Sequence, residues 1–161
     1  MNINKDEIGE LWDKITPKLY GYLVNVLKDK TLADDILQAT WLKAIESLSN
    51  FQDRGYGFSA WLFSIARNEM KMHWRKGGRE IPYDNNLHDI ASEEYSEVEQ
   101  NIFLEQILLK LSENDRELIR LRYVADLSFS EISKILKLNQ VALRVKIHRA
   151  LGRARIMLEE K

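Results

Sequence analysis

The chain has no cysteine among its 161 residues. Disulfides and thiolate metal sites are therefore excluded, and a reducing cytoplasm is the expected setting. Proline occurs only at Pro17 and Pro82, and glycine only seven times. So little punctuation favours long uninterrupted elements. The three histidines, His73, His88 and His148, stand far apart and lack the spacing of metal ligands on a helix. No apolar run approaches the length of a membrane helix, so no membrane insertion is expected. The opening MNINKDEIGELW is polar and has no signal-peptide core. Gly-rich phosphate loops, metal-ligand clusters and nucleophiles with a partnered base are all missing from the pattern. Asp34 and Asp35 are adjacent, and neighbouring helix positions point about 100° apart, so they form no carboxylate pair. The sequence thus predicts no catalysis, no metal and no cofactor.

What is present is helix and charge. Hydrophobic residues make up 45% of the chain, enough for a core, and charged residues 30%. The net charge of −1 conceals an asymmetry: Glu80 to Glu99 holds seven acids and no Lys or Arg, while Ile132 to Leu158 holds seven Lys or Arg and no acid. Such a basic block marks either a footprint for a polyanion or a solvated helix face. Apolar residues recur at spacings of three and four almost throughout, which predicts an all-α protein. Helices are expected near 4–28, 32–49, 59–76, 97–111, 113–125, 129–137 and 140–159. Ser59, Ser112, Ser128 with Glu131, and Asn139 are the expected N-caps. Two small helical domains, 1–76 and 97–161, are expected, joined by an acidic linker at 77–96 that carries Gly77-Gly78, Pro82 and Asn85-Asn86.

The clearest pattern lies in 113–155. A short amphipathic helix, FSEISKIL, is followed by a Lys137-Leu138-Asn139 turn and then by NQVALRVKIHRALGRAR. Leu143, Ile147, Ala150 and Ala154 fall on one side of the last helix, able to pack on Ile132 and Ile135. Gln140, Arg144, His148 and Arg155 fall on the other. A basic outer face just after a tight turn is the layout of a helix-turn-helix whose second helix enters the major groove.

These residues resemble region 4 of the extracytoplasmic-function sigma factors, and the preceding LSENDRELIRLRYVADLS resembles the first helices of that region. Upstream, LADDILQATWLKAIESLSNF is similar to the family's polymerase-binding helix, and FSAWLFSIARNEMKMHWRK to its −10 recognition helix. The resemblance implies a sigma factor that binds core RNA polymerase at its β′ coiled coil and β flap. It further implies recognition of −10 and −35 promoter elements as single strand and as duplex, and DNA melting. An anti-sigma factor or a DNA-bound recruiter is a further partner to expect.

Residue roles follow from patterning and resemblance together. On helix 32–49, Leu37, Trp41, Ala44 and Leu48 form an expected buried stripe, while Asp35, Gln38, Leu42 and Glu46 form a second stripe assigned to polymerase. On helix 59–76, Trp61, Leu62, Ile65 and Met72 are expected on the apolar side. Ser64, Arg67, Asn68, Lys71 and Arg75 gather opposite, with Phe63 and Trp74 at the edge. Cations that follow phosphates and aromatics that stack on bases suit single-stranded DNA. Core packing is the competing role for both aromatics, more so for Trp74 than for Phe63.

By resemblance, Phe51, Phe63, Ser64 and Asn68 line a base pocket beneath the loop 52–58, with Lys43 and Ser47 nearby. For the −35 element the assigned residues are Gln140, Arg144, Val145, Lys146, His148, Arg149 and Arg153. Gln140 and Arg144 are expected to read bases; Arg149, Arg153 and Arg155 are expected to hold phosphates. Ala142 and Val145 stand where the family usually has polar residues, so weak −35 discrimination is expected. A duplex-only helix-turn-helix regulator accounts for 113–155 but not for the face of helix 59–76.

Overall fold

The computed structural model describes residues 3–52, 57–77 and 104–159. Apart from Gly77, the acidic linker lies outside the described residues, as do residues 97–103 of the expected fourth helix. Every regular element among the described residues is helical. Three helices form the N-terminal half: α1 (Lys5–Leu27), α2 (Lys30–Glu46) and α3 (Gly57–Lys76). The C-terminal half has α4 (104–110), α5 (Glu113–Ile119), α6 (Phe129–Leu136) and α7 (Gln140–Glu159).

Local chemistry sets the ends. Asn4 and Glu7 close a capping box at the start of α1. Lys28 then takes a left-handed backbone, with φ 56°, and Asp29 caps α2. The long helix expected to 49 ends at Glu46, and a 3-10 turn over Leu48–Asn50 follows. Ser128 and Glu131 form the expected box on α6, Ser112 accepts from the Asp115 amide, and Asn139 Oδ1 accepts from the Val141 amide at 2.8 Å. Ser59 does not cap α3, which already begins at Gly57. Helix 113–125 is not uniform: α5 widens into a π-turn over Arg120–Val124.

The two halves pack on each other. One apolar cluster runs from Ile15, Leu19, Tyr22 and Leu23 of α1, through Phe63, Ala66 and Met70 of α3, to Leu121, Leu127, Ile132 and Leu143. Polar contacts flank it. The Glu117 carboxylate accepts from the Tyr22 hydroxyl at 2.5 Å and from Arg67 Nε at 3.0 Å. Glu105 accepts from the Asn25 amide at 2.7 Å and pairs with Lys28 at 2.5 Å, while Arg120 donates to Asn25 Oδ1 at 2.6 Å. A smaller cluster of Leu108, Leu111, Ile119, Ala150 and Ala154 ties α4 and α5 to α7. Beside it the buried Arg116 guanidinium donates to the Leu108 and Leu111 carbonyls at the C-terminal end of α4.

Candidate nucleic-acid interface

In the C-terminal half the site follows from one-sided burial. Leu143, Ile147, Ala150 and Ala154 are buried, as their spacing predicts, and fix α7 against α5 and α6. Gln140, Arg144, Val145, Lys146, His148, Arg149 and Arg153 are therefore all exposed, together with Val141 and Arg155. Lys137, with φ 55°, makes the tight turn that sets α7 across α6. Arg153 is not a free cation, because its Nε donates to Asp115 at 2.8 Å. Arg144 rests over the Phe129 ring, with its guanidinium carbon 5.0 Å from the ring centroid.

The α2 surface also emerges as expected. Asp35, Gln38, Leu42 and Glu46 are exposed on one side, Leu42 to 59%. Ile45, 52% exposed and three positions from Leu42, belongs to the same surface and was missed; its spacing alone points there. The opposite side is held by Ala33, Ile36, Thr40, Trp41 and Ala44, with Leu37 and Leu48 only partly buried. The Trp41 indole donates to Thr16 Oγ1 at 3.1 Å, and its ring packs 4.7 Å from that of Trp12.

Helix α3 divides the expected DNA face in two. Asn68, Lys71 and Arg75 are exposed, with Ser64 half-buried on the same stripe and its hydroxyl donating back to the Ala60 carbonyl. Phe63 and Arg67 lie elsewhere. The expectation of a surface Phe63 is corrected: its side chain is fully buried, with its ring 5.5 Å from that of Tyr22. Arg67 is engaged by Glu117. The cause is shared. Helix α3 packs on α6 as well as on α2, and Tyr22 and Glu117 meet its Phe63 and Arg67, so its 63-67-70 line becomes core and interface. Conversely Met72, expected on the apolar side, is exposed, and Trp61 and Ile65 are only partly buried.

Phe51 joins Phe58 and Trp61 at 5.5 and 4.9 Å in an aromatic cluster. The ring of Phe63 instead pairs with that of Tyr22. Ser47 sits half-buried at the end of α2, and Lys43 pairs with Glu69 of α3. Residues 53–56 of the expected closing loop lie outside the described residues.

An all-helical chain whose second half is a helix-turn-helix, preceded by a helical unit with an exposed acidic–apolar stripe and a separate basic one, is a two-part DNA-binding factor. Two family models match it: Sigma-70 region 2 over residues 11–80 and Sigma-70 region 4 over residues 104–153. The chain is 26% identical over 155 residues to the ECF RNA polymerase sigma factor SigM of Bacillus subtilis, covering 93% of this chain and 94% of SigM. It is 25% identical over 153 residues to the longer BldN of Streptomyces coelicolor, covering 91% of this chain but 58% of BldN. Among solved structures it is similar to the sigma factor RpoE of Bartonella quintana in complex with the anti-sigma factor NepR. There the TM-score is 0.74 and the identity 27%, over 97% of this chain and 98% of that one. The chain belongs to the extracytoplasmic-function sigma factors, and its function is transcription initiation.

Proposed function

We propose that the chain binds core RNA polymerase through the α2 stripe of Asp35, Gln38, Leu42, Ile45 and Glu46. In this reading 1–76 is the polymerase-binding and −10 unit, 77–96 the linker, and 97–161 the −35 unit. The observation that carries it is the separation of surfaces: α2 presents acids around two exposed apolar residues, while α7 presents cations and no acid before Glu159. A helical partner with basic side chains suits the first, and the DNA major groove the second. Asn68, Lys71 and Arg75 form the surface offered to single-stranded −10 DNA. The chain acts as a non-catalytic, cytoplasmic subunit; no helix among the described residues is long and apolar enough to cross a membrane.

An anti-sigma factor is a further partner in this reading, since RpoE was solved bound to one. A cleft of about 740 Å³ in the C-terminal half, bordered by Arg67 of α3 and lined in part by Leu118, Leu136, Lys146, Arg149 and Met157, suits an acidic amphipathic segment.

The reading requires the halves to separate. Elements at −10 and −35 lie about 25 base pairs apart, roughly 85 Å along duplex DNA at ~3.4 Å per pair. A compact chain of this length has a radius of gyration of about 15 Å. A fully extended 77–96 linker would span up to about 70 Å, and the width of the two halves adds to that, so an open form reaches both elements. Initiation from defined templates by core polymerase, with and without the chain, tests the reading. Template-specific RNA only in its presence is expected; identical transcripts without it would refute the assignment.

A further inference from the structure

Ser59, expected as the cap of α3, sits inside the helix instead, two residues after its start at Gly57. Its side chain lines a pocket of about 180 Å³ at the seam between the two halves. Helix α1 supplies Lys14 and Lys18 to that pocket, and the C-terminal half supplies Asp126 and Glu131. Lys18 and Asp126 face each other across the seam at 3.4 Å. The charges therefore divide by half, two cations on one side and two carboxylates on the other, with a formal sum of zero. Ser59 stands on the cationic side. It is half-buried, and its hydroxyl donates to no described residue. The hydroxyls of Ser64 and Ser133, by contrast, donate to backbone carbonyls. The seam thus holds one uncommitted hydroxyl in a balanced set of charges.

We infer that Ser59 is a phosphoryl acceptor, and that a phosphate on it parts the two halves. The agent is a protein serine kinase and the donor is ATP. The Ser59 oxygen bonds to the γ-phosphorus, the bond to ADP breaks, and the hydroxyl proton passes to a base of the kinase. Phosphoserine carries about −1.5 to −2 charges at neutral pH. The formal sum of the pocket lining then falls from zero to about −2. In the closed chain the phosphate stands beside Asp126 and Glu131 and competes with Asp126 for Lys18. In the open chain Lys14 and Lys18 neutralise it, and the two carboxylates no longer face it. Like charges that share one small pocket therefore favour the open form. A kinase must enclose its acceptor, so it acts on the open chain, and the added charge keeps that chain open. The inference rests on the reading above that the halves part for initiation, and it supplies a signal for that step.

The test installs phosphoserine at position 59 of the full-length chain and follows the radius of gyration by small-angle scattering. Expansion over wild type is expected, with the ratio of open to closed chain raised on the order of tenfold. The effect should shrink in ~1 M salt, which screens the charges. Ser59→Gln adds bulk without charge and should stay as compact as wild type. With Asp126→Asn and Glu131→Gln together, phosphoserine should no longer expand the chain. Gln is chosen at 131 because it preserves the capping box on α6. Mass spectrometry of the chain recovered from its native cells should find phosphate on Ser59 in part of the population.

Circular dichroism separates expansion from unfolding. Should phosphoserine unfold the chain, Ser59→Asp, with a single charge, takes its place, and a smaller expansion is expected. A phosphorylated chain as compact as wild type would overturn the switch. Equal expansion by Ser59→Gln, or expansion that survives the loss of both carboxylates, would overturn it as well. Ser59 found unmodified under every growth and stress condition in which the chain is made would remove its role as an acceptor. None of these measurements involves polymerase or promoter DNA. Failure here therefore leaves the sigma-factor reading standing, whereas identical transcripts with and without the chain would refute that reading alone.

Discussion

Arg67 Nε lies 3.0 Å from Glu117 Oε1, fifty positions along the chain and across the boundary between the two halves. The same carboxylate oxygen accepts from the Tyr22 hydroxyl. Arg67 and Glu117 are each about one-fifth exposed, so the pair is shielded without being fully desolvated. Replacing Glu117 with Ala leaves Tyr22 and Arg67 without that acceptor. A hydrogen bond to a charged group contributes roughly 1.5–3 kcal/mol. The variant should therefore unfold at lower denaturant and show a larger radius of gyration by small-angle scattering. Unchanged values of both would mean that the contact does not hold the halves together.

The same site gives an alkaline signature. Burial, and then the Glu117 carboxylate beside it, hold the Tyr22 phenol well above its ordinary value of 10.0. The unfolded chain releases that proton near pH 10, whereas the folded chain retains it. The neutral phenol thus contributes fully below pH 10, and the contribution is lost as pH rises from there toward the folded value. Denaturant midpoints of wild type and Tyr22→Phe should differ least in their pH dependence below pH 9 and most above pH 10, where the wild type falls by up to about 1.4 kcal/mol per pH unit more steeply. Parallel curves through pH 11 would show that Tyr22 titrates normally.

Phe63 and Asn68, both named for the same pocket by resemblance, should now behave differently. Phe63 is fully buried against Tyr22, so Phe63→Ala should cost about 3–5 kcal/mol of stability whether or not DNA is present. Asn68 is exposed, so Asn68→Ala should leave stability within about 0.5 kcal/mol. Its effect should be confined to promoter melting, read by permanganate reactivity of thymines in the −10 region. A Phe63→Ala chain as stable as wild type would return Phe63 to the surface.

That contrast shows where sequence patterning succeeds and where it stops. Helix α7 is buried on one side only, so the period of Leu143, Ile147, Ala150 and Ala154 marks its core face directly. The α2 stripe is legible for the same reason. Helix α3 packs on α6 as well as on α2, and a periodic pattern cannot represent two burial directions at once. Phe63 and Arg67 therefore looked like surface, and Met72 like core. Glu105 and Glu117 carry no local mark either. Their partners Asn25, Lys28, Tyr22 and Arg67 lie 50 to 95 positions away, beyond any window of helical periodicity.

The polymerase-facing assignment predicts an additive surface. Leu42→Ala, Ile45→Ala and Asp35→Ala should each weaken association with core polymerase while circular dichroism stays unchanged, because all three side chains are exposed. The two apolar residues should dominate, since buried apolar anchors carry most of the energy of such interfaces and rim charges chiefly alter the on-rate. A triple variant that co-purifies with core enzyme as well as wild type would refute the assignment of this face.

The closed arrangement leaves the α2 stripe exposed, and it leaves α7 exposed as well. What it removes is reach, not access. A chain locked closed should therefore still bind core polymerase and still hold duplex through α7, yet fail to occupy both promoter elements at once. The absence of cysteine makes this directly testable, because any thiol introduced is unique. Lys18 and Asp126 meet at 3.4 Å across the halves, both on the outer surface. In Lys18→Cys with Asp126→Cys, a short cleavable bis-thiol reagent should join the two halves. The joined chain should co-purify with core enzyme like wild type, protect DNA at one element but not both in a footprint, and yield little template-specific RNA. Cleaving the linker should restore the second footprint and the transcript. The unlinked double variant controls for the loss of the Lys18–Asp126 pair, an exposed contact worth at most about 1 kcal/mol. Full RNA yield from the joined chain would mean that initiation does not require the halves to part, and the reach argument would fail.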